Sequence, residues 1–401
     1  MQHTEQTNTP PTGGRRRGGF PLITILVTIA VLVVATFVEA SSGSASAYGM
    51  VYGTWWFRLL WGVLAAVSVV WCVRQRLWRR PVVLLLHASF VVILVGALTT
   101  ALCSTRGQLQ IWEGEQTTMF LTDDQPALKS KGHRVAHMDF TLRLDSFRVD
   151  RYADTGEPSG YRSHVTVIDH DGTQTAHVIS MNHILRHHRL RYYQAGYTPD
   201  GHGTILSVVH DPYGIGITYA GYAMLFLSCI LLLVGRLPKR ALWGLGAAAL
   251  VALLYALQWT TDAHLLPVLR SPLLGVHVGV IITAYVLFLI LTFAPLFPKR
   301  KEWMHAIDRM HHVAVLLLVV GIFLGAVWAN ISWGTYWSWD PKEVWALITM
   351  FVYCLPLHRR SLPWFADDRH RRLYLSAAFL CVLITYFGVN FFLGGMHSYA
   401  G

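Results

Sequence analysis

Apolar runs of roughly 18 residues or more, long enough to cross a bilayer core, recur along this 401-residue chain and leave it few ways to fold. Inside a bilayer no water is present to satisfy backbone N–H and C=O groups, so such segments must be helices that satisfy their own. Reading apolar stretches against charged breaks places spans at 20–41, 54–73, 81–103, 214–235, 241–258, 276–297, 312–332, 341–358 and 373–394. The composition agrees, because 53% hydrophobic and only 14% charged residues are the proportions of a membrane protein and not of a soluble core. The expected fold class is an α-helical integral membrane protein of about nine transmembrane helices with one small extracytoplasmic β domain.

The formal charge of +11 is distributed by loop. Arg15–Arg17, Arg74–Arg80, Arg236–Arg240, Lys299–Arg309 and Arg359–Arg372 flank alternate ends of successive spans, while the intervening short loops carry almost no Lys or Arg. Basic loops stay cytoplasmic. The pattern expects a cytoplasmic N-terminus and an extracytoplasmic C-terminus in a cytoplasmic (inner) membrane, and it reads the basic balance as topology, with no nucleic-acid partner. The first span follows an arginine cluster and precedes the small-residue stretch Ser41–Ala47, as a cleavable signal would; its length favours an uncleaved helix.

The expected organisation is 1–19 as a disordered cytoplasmic segment, 20–103 as three helices and 104–213 as the β domain. A fourth helix and cytoplasmic linker follow at 214–240, and a helical domain occupies 241–401. Within 104–213, Met138, Phe140, Leu142 and Leu144 alternate with polar neighbours, as do Val165 and Val167. Turn signals fall at Thr155-Gly156, Asp171-Gly172 and Asp200-Gly201, so a small antiparallel sheet or sandwich is expected. His183, His187 and His188 fall in no firm metal-ligand spacing and read as surface histidines. The five cysteines lie in or beside apolar spans without redox or metal spacing and read as small hydrophobes.

Histidines in spans are functional candidates, because a titratable group there is costly. His87 lies six residues past Pro81, His358 closes the eighth expected span, His277 opens the sixth and His397 follows the ninth. They sort into an inner pair, His87 and His358, and an outer pair, His277 and His397. Singly, each also reads as an interfacial or satisfied core residue. Together they offer two axial imidazole pairs, each drawn from different helices, as a haem site in a bundle requires.

The loop 328–345 carries Trp328, Trp333, Trp337, Trp339 and Trp345 together with Tyr336. Asp340, Pro341 and Glu343 have a plain structural role as N-cap, first helical residue and capping-box partner. An interfacial aromatic belt would account for some tryptophans, but the other short outer loops are not comparably dense, and a flat macrocycle suits such a floor.

Trp333 to Trp345 resembles the tryptophan-rich WWD signature of haem-handling proteins in cytochrome c maturation. Leu274–Tyr285, Leu357-His358-Arg359 and Gly395–Tyr399 are similar to the ResC or CcsA type. The His87 helix, Asp139–Phe147, Ile179–Asn182 and Tyr192–Gln194 resemble its partner ResB. The resemblance covers about 20–401 and implies a fused CcsBA, the System II cytochrome c synthase. By that resemblance, haem b is a noncovalently held, transported substrate. His87 and His358 are then the inner membrane ligands, and His277 and His397 the outer axial ligands. Trp333, Tyr336, Trp337, Trp339, Asp340 and Trp345 would contact the haem. The implied partners are apocytochrome c, haem and membrane lipid, with a thiol-reducing thioredoxin-like protein as a further candidate. The implied reaction joins haem to Cys-x-x-Cys-His by thioether bonds. The alternatives are a haem exporter or chaperone without lyase activity, and a membrane b-type electron-transfer cytochrome. Fused members are often far longer, so the resemblance assigns neither a haem entry route nor an apocytochrome docking surface.

Overall fold

The computed structural model describes residues 19–123, 134–152, 156, 158–237, 254, 269, 271–298 and 300–393. The span expected at 241–258, apart from residue 254, lies outside the described residues, as does His397. Eight longer helices are described: α1 (Gly19–Ser42), α2 (Trp55–Arg74), α3 (Pro81–Cys103), α4 (Gly214–Val234), α5 (Pro272–Thr292), α6 (Lys301–Trp333), α7 (Pro341–Cys354) and α8 (Asp368–Leu383). Seven of the described helical segments are long and apolar enough to cross a membrane.

Two expectations are corrected by local chemistry. The stretch 341–358 is a 14-residue helix followed by a tight 3-10 turn over Leu355–His358. At 1.5 Å per residue α7 is roughly 21 Å long, short of a bilayer core of about 30 Å. Pro356 has no N–H to continue the α-helical ladder. Conversely, α6 begins eleven residues before the apolar run expected at 312–332, because its first three turns are polar and pair at the basic end. There Asp308 accepts from Arg359 at 3.1 Å and faces Arg371 at 3.3 Å, while Arg371 also pairs with Asp368 at 2.7 Å. Arg372 Nη1 donates to the carbonyl of Phe297 at 2.8 Å. Arg371 and Arg372, which the charge pattern places in a loop, are thus buried structural groups on α8.

Glycine decides how closely the helices approach. A Cβ at Gly96 of α3 would lie 2.7 Å from the Thr218 backbone N of α4, and one at Gly221 of α4 would lie 3.0 Å from the Ile93 backbone N. The two backbones therefore meet along a seam of small residues, a packing that membrane helices use because apolar lipid supplies little hydrophobic drive for association. Asp211 fixes the β-domain end of this seam. Its Oδ1 accepts the Gly214 N–H at 2.7 Å, and its Oδ2 accepts the Thr100 hydroxyl at 2.6 Å.

Between α3 and α4 the described residues form one eight-stranded antiparallel sheet in the order β5-β4-β3-β2-β1-β8-β7-β6. Its strands are β1 (Thr105–Trp112), β2 (Gln116–Thr122), β3 (Arg134–Arg151), β4 (Pro158–Ile168), β5 (Gln174–Ser180), β6 (Leu185–His187), β7 (Leu190–Tyr197) and β8 (Gly203–His210). Every strand contributes to a single core, among them Ile111, Phe120, Leu142, Val165, Ile179, Leu185, Tyr192 and Leu206, so the sheet curls around it. Mutual N–H···O=C bonds of 2.9 and 3.0 Å between Ser180, the last residue of β5, and His183 close the turn that leads to β6. The alternation expected on β3 and β4 is present, with Met138, Phe140, Leu142, Leu144, Val165 and Val167 all buried. Gly156, Gly172 and Gly201 each adopt positive φ, as turns there require.

Gly96→Leu is expected to force α3 and α4 apart and cost about 1–3 kcal/mol, the usual penalty for overpacking a tight contact. A lowered unfolding temperature in detergent checks this, and an unchanged one would show that the seam tolerates bulk.

Candidate functional site

The inner pair of histidines is assembled from α3 and the turn after α7. The His87 and His358 ring centres are 6.2 Å apart with planes at 84°. His87 Nδ1 lies 2.8 Å from the Val83 carbonyl, and His358 Nδ1 lies 2.9 Å from the Cys354 carbonyl, each one helical turn back. A carbonyl can only accept, so Nδ1 is the donor in both rings and Nε2 is the nitrogen left to face a ligand. Hydrogen bonds of this kind orient histidine rings where they serve as metal ligands. The pair lies at the basic end of the bundle, where Arg359 follows His358 directly.

His277 stands on the second turn of α5, toward the β-domain end. Its Nδ1 lies 2.7 Å from the carbonyl of Gly321 on α6, so the same tautomer is set across two helices. Its ring lies against Gly325, one turn further along α6, where a Cβ would meet Cε1 at 2.6 Å and Nδ1 at 2.9 Å. Gly321 likewise admits Ile281 of α5, whose Cδ1 would lie 2.6 Å from a Cβ there. The sequence Gly321-Ile-Phe-Leu-Gly325 is thus a small-residue groove that seats the imidazole, a signal that the histidine spacing alone does not carry.

The tryptophan-rich loop is packed from both halves of the chain. Trp339, at φ 62°, stacks on Tyr52 at 5.0 Å and 10°, meets Phe57 edge-on at 4.9 Å, and lies 5.9 Å from Trp61 and 6.0 Å from Trp337. Three of those four rings carry a buried polar atom with no hydrogen-bond partner among the described residues: Tyr52 Oη, Trp61 Nε1 and Trp337 Nε1. Trp345, buried on α7, has an unpartnered Nε1 of the same kind. Each such donor costs about 1–3 kcal/mol when left without an acceptor, so the cluster suits a ligand that brings acceptor oxygens against an aromatic wall. Burial, with the charges of Glu39, Asp340 and Glu343 adding to it, raises the Tyr52 phenol above its ordinary pKa, so it stays a donor. Trp333 is partly exposed and meets Trp328 edge-on at 5.0 Å. Tyr336 sits 5.8 and 5.7 Å from Tyr219 and Tyr222 of α4.

Asp340 caps α7, accepting the Lys342 N–H at 2.9 Å. Glu343 reaches further back than the ordinary capping box and accepts from Ser338 N at 2.9 Å and Ser338 Oγ at 3.2 Å. The β domain holds the loop from above. The Ser332 hydroxyl donates to Asn182 Oδ1 at 2.6 Å, and Gly334, at φ 78°, leaves room for Tyr193, which a Cβ would approach to 2.7 Å. Sequence reasoning singled out the loop but not its dependence on Tyr52, Phe57 and Trp61, since nothing in their spacing shows which helix they face.

A bundle of membrane-spanning helices that brings two histidines together, packs a tryptophan-rich loop against aromatic rings and carries a β domain between two of its helices defines the class: a multi-pass membrane protein with one β domain. Comparison with known proteins places it more narrowly. Residues 77–216 match the ResB-like family and residues 218–397 match the cytochrome c assembly protein family. The chain is therefore a fused ResB/ResC-type protein. NrfI of Wolinella succinogenes is 41% identical over a region covering 34% of this chain and 17% of that protein. CcsA of Guillardia theta is 38% identical and CcsA of Prochlorococcus marinus 35% identical, each over 34% of this chain and 57% of the relative. The chain thus spans little more than half the length of these CcsA proteins and a smaller part of NrfI.

Asp340→Ala is expected to cost about 0.5–2 kcal/mol through loss of the cap, whereas Asp340→Asn, another good N-cap, should keep most of it. Unfolding temperatures of both variants in detergent check the order, and equal losses would show that the carboxylate charge matters more than the cap.

Proposed function

We propose that this protein carries haem across the cytoplasmic membrane and attaches it to apocytochrome c as a System II cytochrome c synthase. The observation that carries the reading is the convergence of His87 and His358. Two imidazoles on opposite sides of one iron, each bonded at about 2 Å with its ring centre roughly 1 Å beyond, have centres about 6 Å apart, which is the separation found here. The family matches and the relatives named CcsA support a role in cytochrome c biogenesis.

Arginines gathered at the end of the bundle away from the β domain support a cytoplasmic N-terminus and an extracytoplasmic β domain. Haem b enters on the cytoplasmic side, is held noncovalently by His87 and His358, and passes to His277 and His397 beside Trp333, Tyr336, Trp337, Trp339 and Trp345. Asp340 acts there through the loop it caps. The unpartnered hydroxyl and indole donors around Trp339 suit the haem carboxylates. At the outer site each thiol of a Cys-x-x-Cys-His segment adds across one vinyl group, forming a C–S and a C–H bond with no oxidant needed. The protein's contribution is to position both partners and exclude wrong haem orientations. The substrate's histidine then replaces one protein imidazole, and a thiol-reducing thioredoxin-like partner would keep the two cysteines reduced.

The purified protein is expected to show a six-coordinate, low-spin haem spectrum, and a haem-free preparation from haem-replete cells would count against the reading. Co-expression with a Cys-x-x-Cys-His apocytochrome, in cells lacking their own maturation system, reads attachment directly. His87→Ala or His358→Ala should lower the haem that reaches the outer site. His277→Ala or His397→Ala should admit haem, lose attachment, and regain part of it when imidazole is added to the medium. Equal loss and equal rescue in all four variants would leave one site with remote structural histidines. Trp337→Ala with Trp339→Ala should reduce bound haem while the protein still inserts; normal haem content and normal maturation would reduce these tryptophans to an interfacial belt.

A further inference from the structure

The β domain brings together three metal-ligating side chains that the helical site does not use. Asp169 follows β4, His187 ends β6 and His188 opens the turn after it, so the sheet order places them toward opposite edges of the curled sheet. His187 Nε2 lies 2.7 Å from Asp169 Oδ1, and His188 Nε2 lies 4.0 Å from the same oxygen. One ligand atom from each of the three can be chosen so that all lie within 4.8 Å of one another. The two imidazoles are stacked at 4.4 Å and 9°, and His187 meets the buried Phe140 edge-on at 4.6 Å, which gives the group an apolar floor.

The backbone supplies a second, independent observation. The β6–β7 turn is made by His188 at φ 44° and Arg189 at φ 66°. Two-residue hairpin turns of this left-handed kind favour Asn-Gly, and each residue with a Cβ held there costs roughly 1–2 kcal/mol. Strain of this kind collects where a side chain must be aimed. Here it sets the His188 ring parallel to that of His187 and within reach of Asp169. The neighbouring guanidiniums of Arg186 and Arg191 are register partners on β6 and β7, and strand alternation turns Arg186 to the face opposite His187.

We propose that Asp169, His187 and His188 form a binding site for a divalent transition-metal ion of the zinc or copper class. Two imidazoles and one carboxylate are the nitrogen and oxygen donors that such ions take with a fourth position open. Donor atoms around a four-coordinate zinc are about 3.3 Å apart, so the 2.7 Å contact opens and the 4.0 Å contact closes by a fraction of an ångström each. Bound there, the ion clips the β4–β5 turn to the β6–β7 turn and so fastens the two edges of the sheet, a role independent of haem.

Full-length protein bearing a histidine-free affinity tag is stripped with chelator, equilibrated with zinc chloride, desalted and assayed for zinc per chain. Wild type is expected to retain one equivalent more than His188→Asn, a variant chosen because Asn accepts left-handed backbone and preserves the turn. Asp169→Asn should lose the same equivalent. Zinc should raise the unfolding temperature of wild type and leave that of His188→Asn unchanged. The haem spectrum, recorded on the same samples, should not differ between them, so failure of the metal site and failure of the haem reading are told apart. Equal zinc retention and equal zinc-induced shifts in wild type and His188→Asn overturn the assignment and leave a hydrogen-bonded Asp169–His187 pair beside a stacked ring.

Discussion

Close helix approach through glycine is the constraint on which the rest of this structure depends. In lipid, apolar surface gains little from being covered by another helix, so helices are held by contact distance and by hydrogen bonds across the contact. Gly96 and Gly221 let α3 and α4 meet backbone to backbone, and Gly321 and Gly325 let α6 receive the side chains of Ile281 and His277 from α5. The second contact seats the His277 imidazole, because its ring occupies the space that a side chain at Gly325 would fill. The first ends at Asp211, which ties the last turn of α3 to the start of α4 where the chain leaves and re-enters the bundle.

From that frame the aromatic loop acquires its shape. Asp340 and Glu343 turn the chain into α7, Asn182 and Tyr193 hold it from the β domain, and Tyr52, Phe57 and Trp61 receive Trp339 from the N-terminal helices. A loop gripped from three directions has its indoles positioned by contacts from the rest of the chain. Such preorganisation lowers the ordering cost of binding a large planar molecule. The unpartnered donors around Trp339 are the polar counterpart of the same wall, since they persist only where surrounding packing over-determines their positions.

Much of the fold was legible in the residues because each local rule acts over short distances. Apolar runs located α1 to α4 within a residue or two, since a bilayer admits no other backbone arrangement over such lengths. Alternation on β3 and β4 and the glycines at 156, 172 and 201 were legible for the same reason: strand period and positive φ are properties of a few neighbouring residues. The failures were also local in cause. The stretch 341–358 read as a full span from its apolar content, but Pro356 converts its last turn, and the polar beginning of α6 carried no apolar signal to extend the helix toward Lys301.

The sequence by itself determined which segments become helices or strands, where arginine gathers, and which histidines, tryptophans and capping residues were candidates for chemistry. Only the tertiary structure decided who meets whom. That His87 faces His358, that Gly325 cradles His277, that Tyr52 stacks on Trp339, and that Asp169 joins His187 and His188 are all facts about residues far apart in the chain or on different turns. Local propensity is silent on such pairs, because the energy that selects them comes from packing whole helices and closing a whole sheet, and no short stretch of residues contains it.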